Sequence, residues 1–185
     1  MSLPTTFFIG RGGGAPTNAT GTLVYSNSNQ YNFNGNQTSP TVLTVGLGVI
    51  ADFDLEFQVS PNNVTSNPWV LNNGGYSELY GFLYGIYPNS SAIAGNGIGA
   101  YGYYTGASTA MSTSGWTSVT VKVRLSASEI EVLENGTSFG VQTNYSSTGI
   151  EWDVINLGIG KSSDNSPNWS GPYDGSIRNI FITRF

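Results

Sequence analysis

The chain has 185 residues, of which 38% are hydrophobic and only 9% charged, with a formal net charge of −5 and neither cysteine nor histidine. That composition excludes disulfides, thiolate nucleophiles, histidine-based triads and conventional zinc sites, and six Lys and Arg residues supply no basic stripe for nucleic acid or an anionic membrane. What remains is oxygen chemistry: a hard cation held by Asp, Asn and carbonyl groups, or a carboxylate pair acting on a glycoside.

The length suits one domain with one hydrophobic core. The 25 glycines follow no G-X-Y period and alternate with apolar runs, so the chain is expected to fold rather than form collagen or stay disordered. Residues 1–22, with the run Arg11-Gly12-Gly13-Gly14-Ala15-Pro16, read as an extended arm, and residues 23–185 as the folded domain. The first ten residues lack a basic start followed by a long apolar stretch, so neither a signal peptide nor membrane insertion is expected.

Along the chain, period-two alternation replaces any sustained helical period. Asp52 to Val59 is the clearest strand: Phe53, Leu55, Phe57 and Val59 fall on one face and the acids on the other. Tyr80–Tyr87 and Ile98–Tyr104 alternate glycine with aromatics, which suggests strands with bulges or close sheet contacts. Val119, Val121, Val123 and Leu125 predict another strand, and Ile130 and Val132 begin one that ends at Asn135-Gly136. Asn-Gly suits a type I′ hairpin turn because both central residues need positive φ, so Phe139 and Val141 are expected on the returning strand. Val154–Gly160 and Ser176–Phe185 are the last two strands, separated by a polar, aromatic loop. No repeat of 20 to 50 residues is present, which disfavours propellers and solenoids. The pattern predicts an all-β fold, a two-sheet antiparallel sandwich.

From Trp116 onward the features come in a telling order: Gly115-Trp116 opening a strand, Asn135-Gly136 closing one, then Asn156-Leu157-Gly158-Ile159-Gly160, then Tyr173-Asp174-Gly175-Ser176-Ile177-Arg178-Asn179-Ile180-Phe181-Ile182. This order resembles laminin-G-like members of the concanavalin A-like lectin and glucanase superfamily, the final element being similar to their closing F-x-G-x-I-x-N-V-x-I strand with Tyr for Phe. The resemblance covers roughly residues 115–185. It implies a jelly roll of two large antiparallel sheets with paired termini, and it leaves function open because that fold carries lectins, glycosidases and structural modules.

Two places offer chemistry. Asp52, Asp54 and Glu56 sit at i, i+2 and i+4, similar to the Glu-x-Asp-x-Glu motif by which jelly-roll glucanases mount nucleophile, helper acid and general acid. Asp52 is one methylene short at the first position, a serious departure where carboxyl separation decides the reaction. The ordinary role for the same acids is to solvate the outer face of a half-buried strand. Tyr76, Tyr80, Tyr84, Tyr101, Tyr103 and Trp69 would be the aromatics of a sugar cleft, or simply sheet-packing residues.

The second place is the loop from Lys161 to Asp174, too polar to be buried. Its Asp164, Asn165, Asn168 and Asp174 are candidates for bonding sugar hydroxyls, Trp169 or Tyr173 for stacking on a ring, and Asp164, Asn165 and Asp174 for holding Ca²⁺. An ordered surface loop without a ligand is the alternative, and no other cofactor is expected. Seven Asn-x-Ser/Thr triplets, at Asn18, Asn36, Asn63, Asn89, Asn135, Asn144 and Asn168, permit glycosylation without indicating it, since this composition yields about four by chance.

The expectation is a non-enzymatic structural protein of a virion surface, in a capsid decoration, fibre or tail appendage. It would self-associate, contact other virion proteins and touch host glycans. A β-glucanase-like hydrolase using Asp52, Asp54 and Glu56, and an extracellular secreted lectin or adhesin, are the alternatives.

Overall fold

The structure, a computed structural model, describes residues 20–39, 41–49, 51–62, 69–73, 81–87, 90–97, 100–105, 112–127, 129–142, 154–160 and 172–185. Every regular element among them is a strand. In chain order these are β1 (Thr22–Asn34), β2 (Thr41–Gly46), β3 (Phe53–Pro61), β4 (Trp69–Asn73), β5 (Gly81–Tyr87) and β6 (Ser90–Gly97). There follow β7 (Ala100–Thr105), β8 (Thr117–Arg124), β9 (Glu129–Glu134), β10 (Thr137–Gln142), β11 (Val154–Ile159) and β12 (Asp174–Arg184). They form two six-stranded sheets, β1-β12-β3-β8-β9-β10 and β2-β11-β4-β5-β6-β7, and each ladder is antiparallel. The expected all-β jelly-roll sandwich is therefore what the chain forms.

Alternation explains the core. Phe53, Leu55, Phe57 and Val59 of β3 are buried beside Val119, Val121 and Val123 of β8 and Ile130 and Val132 of β9. From the second sheet Val45, Val70, Leu157 and Ile159 join the same cluster. Each such side chain contributes about 1.5–3 kcal/mol by leaving water, and only two layers face to face can cover every second residue of all these strands.

The hairpin predicted at Asn135-Gly136 is present. Asn135 has φ 48° and Gly136 φ 80°, the pair of left-handed residues that a type I′ turn requires. Asn135 also ties the turn to β8: its backbone N–H donates to the Ser118 carbonyl at 2.8 Å, and its Oδ1 accepts from the Ser118 N–H at 3.0 Å. This Asn-x-Thr triplet thus has a structural use of its own.

β12 lies between β1 and β3, so the first described strand pairs with the last. Its alternation is broken once. Ile177 is buried, Arg178 and Asn179 are not, and Ile180 and Ile182 are buried again; the register against β3 shifts between Arg178 and Phe181, and that against β1 between Asn27 and Gln30. Asn179, at φ 53°, is the extra residue of a bulge that returns the later isoleucines to the core.

At the start of β12, Tyr173 folds back over Gly175. Tyr173 is fully buried, and its hydroxyl donates to the Ser176 carbonyl at 3.2 Å. Gly175 has φ 153°, and a Cβ there would lie 2.5 Å from both the Tyr173 hydroxyl and the Ser60 carbonyl. The Tyr-Asp-Gly-Ser run is thus a packing device: glycine leaves the space that the ring needs.

Four strands were not expected. β1, β2, β4 and β6 are rich in Asn, Ser, Thr or Gly, and that composition hides their pairing, which is set by neighbouring strands rather than by their own pattern. β1 begins at Thr22, and residues 1–19, most of the arm read from sequence, lie outside the described residues.

Gly175→Ala is expected to destabilise the fold by about 3 kcal/mol or more, through overpacking against backbone, as measured by urea unfolding. Asn135→Ala is expected to cost about 1–2 kcal/mol, from an αL residue without the Asx side chain and a lost hydrogen bond; an unchanged midpoint would refute the turn's role.

Candidate functional site

The three acids of the glucanase-like spacing are held by separate partners. Asp52 precedes β3, and its carboxylate accepts from the Ser126 N–H at 3.3 Å and hydroxyl at 3.1 Å in the turn after β8. Asp54 is in an ion pair with Arg124, Nη2 to Oδ1 being 2.6 Å. Arg124 is fixed in turn by the Phe53 carbonyl at 3.1 Å and lies 5.0 Å above the Phe185 ring. Next to this pair, Lys122 bonds Glu131 at 2.9 Å.

Burial pushes the Asp54 carboxyl above its ordinary value, and the neighbouring Arg124 charge and hydrogen bond only partly offset this. Glu56 is also raised, by burial first and by the Asp54 charge second. For Glu131 burial acts upward, but hydrogen bonds from Ser138 and Lys122 bring it below the ordinary value. The Glu56 carboxyl has no hydrogen-bond partner among the described residues; across the ladders its backbone sits between Phe181 of β12 and Thr120 of β8. A retaining glycosidase needs two carboxyls free to reach one substrate bond. Here Asp52 braces a turn and Asp54 braces Arg124.

Of the loop candidates, Asp164, Asn165, Asn168 and Trp169 lie outside the described residues. Tyr173 corrects the expectation of a stacking platform: it is enclosed in the core, and burial drives its phenol well above the ordinary value. The sequence suggested otherwise because Tyr173 follows a polar run, while the small Gly175 that admits it comes two residues later. Asp174 is half-buried and staples β12 to the end of β3, its Oδ1 accepting from Asn62 Nδ2 at 2.7 Å and its carbonyl from the Asn62 N–H at 3.0 Å. Nearby, Gln37 Nε2 donates to the Tyr173 carbonyl at 3.0 Å. This end of the sandwich therefore presents amides and one carboxylate, the chemistry that hydrogen-bonds hydroxyls.

Among the described residues no three acidic side chains come together as a metal site, so the Ca²⁺ expectation at Asp164, Asn165 and Asp174 rests on positions mostly outside them. Trp69, Tyr84, Tyr101 and Tyr103 fall on β4, β5 and β7 of the second sheet, and Tyr76 and Tyr80 lie outside the described residues.

A further cluster occupies the outer face of the first sheet at the β12 bulge. The Arg178 guanidinium lies 3.8 Å from the centre of the Trp116 ring, and its Nε donates to Gln58 Oε1 at 2.9 Å. Asn179 Nδ2 donates to the same oxygen at 2.9 Å, while Gln58 Nε2 reaches Ser118 Oγ at 3.3 Å. The sequence does not display this cluster: its members come from β3, β12, β8 and the residue before β8, and the one local signal is Arg178-Asn179 between the apolar Ile177 and Ile180.

No protein-family model and no curated protein sequence matches the chain. Solved structures do. Domains LG4-5 of the mouse laminin alpha1 chain superpose with a TM-score of 0.64 at 11% identity, over 91% of this chain and 46% of that one. The CBM40 of the Ruminococcus gnavus IT-sialidase gives 0.60 at 13% identity, over 87% and 92%. Domain 4 of AbnA, a GH43 extracellular arabinanase from Geobacillus stearothermophilus, in complex with arabinotriose, gives 0.56 at 12% identity, over 89% and 93%. Together with the strand order above, these likenesses establish that the chain has the concanavalin A-like, laminin-G-type jelly-roll fold.

Proposed function

We propose that this chain is a non-catalytic carbohydrate-binding domain displayed on the outer surface of an assembled particle, a virion in the first instance. The carrying observation is the pairing of fold and chemistry. Jelly rolls of the same extent have been solved with arabinotriose and with sialyllactose, and two of the three acids that would make this one a hydrolase, Asp52 and Asp54, are spent on Ser126 and Arg124. A surface solvated by amides and hydroxyls, with 9% charged residues, suits sugar recognition. The virion reading adds self-association: β1 and β2 are edge strands that carry no charge, and their exposed Leu23 and Val42 are unguarded.

A hydrolase is the second reading, favoured only by Glu56, a half-buried carboxyl held above its ordinary value of 4.5. On the structural reading its behaviour has a definite sign. A raised folded-state value means that the native protein binds this proton more tightly than the unfolded chain does. The stability it contributes is full below 4.5 and is lost as pH rises through the raised value.

Glu56→Gln is therefore expected to raise Tm at about pH 7, with the gain vanishing near pH 4, and to leave glycan binding intact. Reducing-sugar assays on β-glucans are expected to stay blank; turnover that Glu56→Gln abolishes would reverse the assignment. A glycan array probed with the wild-type chain is expected to show binding, and a blank array would remove the carbohydrate reading. Light scattering is expected to find an oligomer, and a monomer at every concentration would remove the self-association.

A further inference from the structure

We infer that Arg178, on the outer face of the first sheet, is the centre of a carboxylate-recognition site, and that its ligand is an acidic sugar. The inference rests on the carbohydrate reading and specifies its substrate class.

Lys122, Arg124, Arg178 and Arg184 are the basic residues among those described. Lys122 and Arg124 are in ion pairs, and Arg184 donates to the Leu47 carbonyl. Arg178 has no carboxylate partner among the described residues, although the chain carries 11 acids against 6 bases.

Nor is Arg178 a loose surface side chain. Trp116 covers one face of its guanidinium, and Gln58 takes its Nε–H. The Gln58 amide is oriented by Asn179 on one side and Ser118 on the other. These contacts consume one ring face and one donor, and leave both Nη groups without a partner among the described residues. Two parallel N–H donors on a planar, pre-oriented fork match the two oxygens of a carboxylate.

The backbone supports the same conclusion. Asn179 is held at φ 53°, a left-handed conformation that few residues other than glycine and asparagine adopt, and both ladders shift register beside it. Bulges of this kind re-aim a side chain next to a functional site. Here the bulge places Arg178 and Asn179 side by side over Gln58.

The surroundings select the ligand. A polyphosphate or nucleic acid needs several unpaired cations, and the described residues of this face offer one, on a chain of net charge −5. A single carboxylate needs only one fork, and the ring that bears it meets hydroxyl and amide groups: Gln30 opposite Arg178, and Asn32 opposite Ser176, which donates to Asn32 Oδ1 at 2.7 Å.

Isothermal titration of the wild-type chain with uronate-terminated and sialyl-terminated oligosaccharides, each beside its neutral parent, tests this. At least one acidic ligand is expected to bind about tenfold or more tightly than its parent, as for a charge-assisted bidentate contact, and the two acid series distinguish the source of the carboxylate. Arg178→Gln is expected to bring the affinity for the acidic ligand down to that for its neutral parent, both measured on the same variant. Arg178→Lys, which keeps charge but loses the fork, is expected to retain only part of it. Equal affinity for acidic and neutral ligands overturns the inference and leaves the carbohydrate reading standing; no binding to any glycan overturns both. The wild-type comparison decides the matter even if a variant fails to fold.

Discussion

The sandwich depends on its last strand. β12 takes the place between β1 and β3, so the first sheet cannot be completed until the C-terminal segment is in position. Ile177, Ile180 and Ile182 then extend the apolar layer beside that of β3, and Tyr173 is buried at its end. A contact that spans nearly the whole chain is slow to form because loop closure comes before its reward. Once formed, it ties the first described strand into the core of its sheet.

What was legible in the sequence follows from this arrangement. Where alternation was strict and the partner strand was also apolar, as in β3, β8 and β9, faces could be read residue by residue and bounds to within about two residues, Leu125 falling just beyond β8. β1, β2, β4 and β6, rich in Asn, Ser, Thr or Gly, could not, because their pairing is imposed from outside. The closing strand is an intermediate case. Its existence and its resemblance to the laminin-G pattern were legible, but period two applied from Ile177 would send Ile180 and Ile182 to solvent. The Asn179 bulge restores them, and only the φ of that one residue reveals it.

The candidate site divides along the same line. Asp52, Asp54 and Glu56 were visible as a row because sequence displays spacing. Their partners Ser126 and Arg124 were not, because those contacts span about seventy residues. Tyr173 looked like a loop aromatic and is a core residue, since its surroundings are made by Gly175 and the Ser60 carbonyl. The Arg178 cluster was illegible for the converse reason: none of Gln58, Trp116 and Arg178 is remarkable alone, and three strands must assemble before they meet.

Scarcity of charge gives each ionic group unusual weight in this fold. A surface crowded with Lys and Glu would pair Arg178 with a mobile neighbour and dilute any preference it had for an incoming anion, since exposed pairs are worth little and exchange readily. Among the described residues no carboxylate is paired with the fork. The composition that first excluded nucleic acid, thiol and histidine chemistry thus also permits discrimination by a single guanidinium. The stacking Trp116 and the fixed Gln58 matter for the same reason: a guanidinium oriented before its ligand arrives loses less freedom on binding.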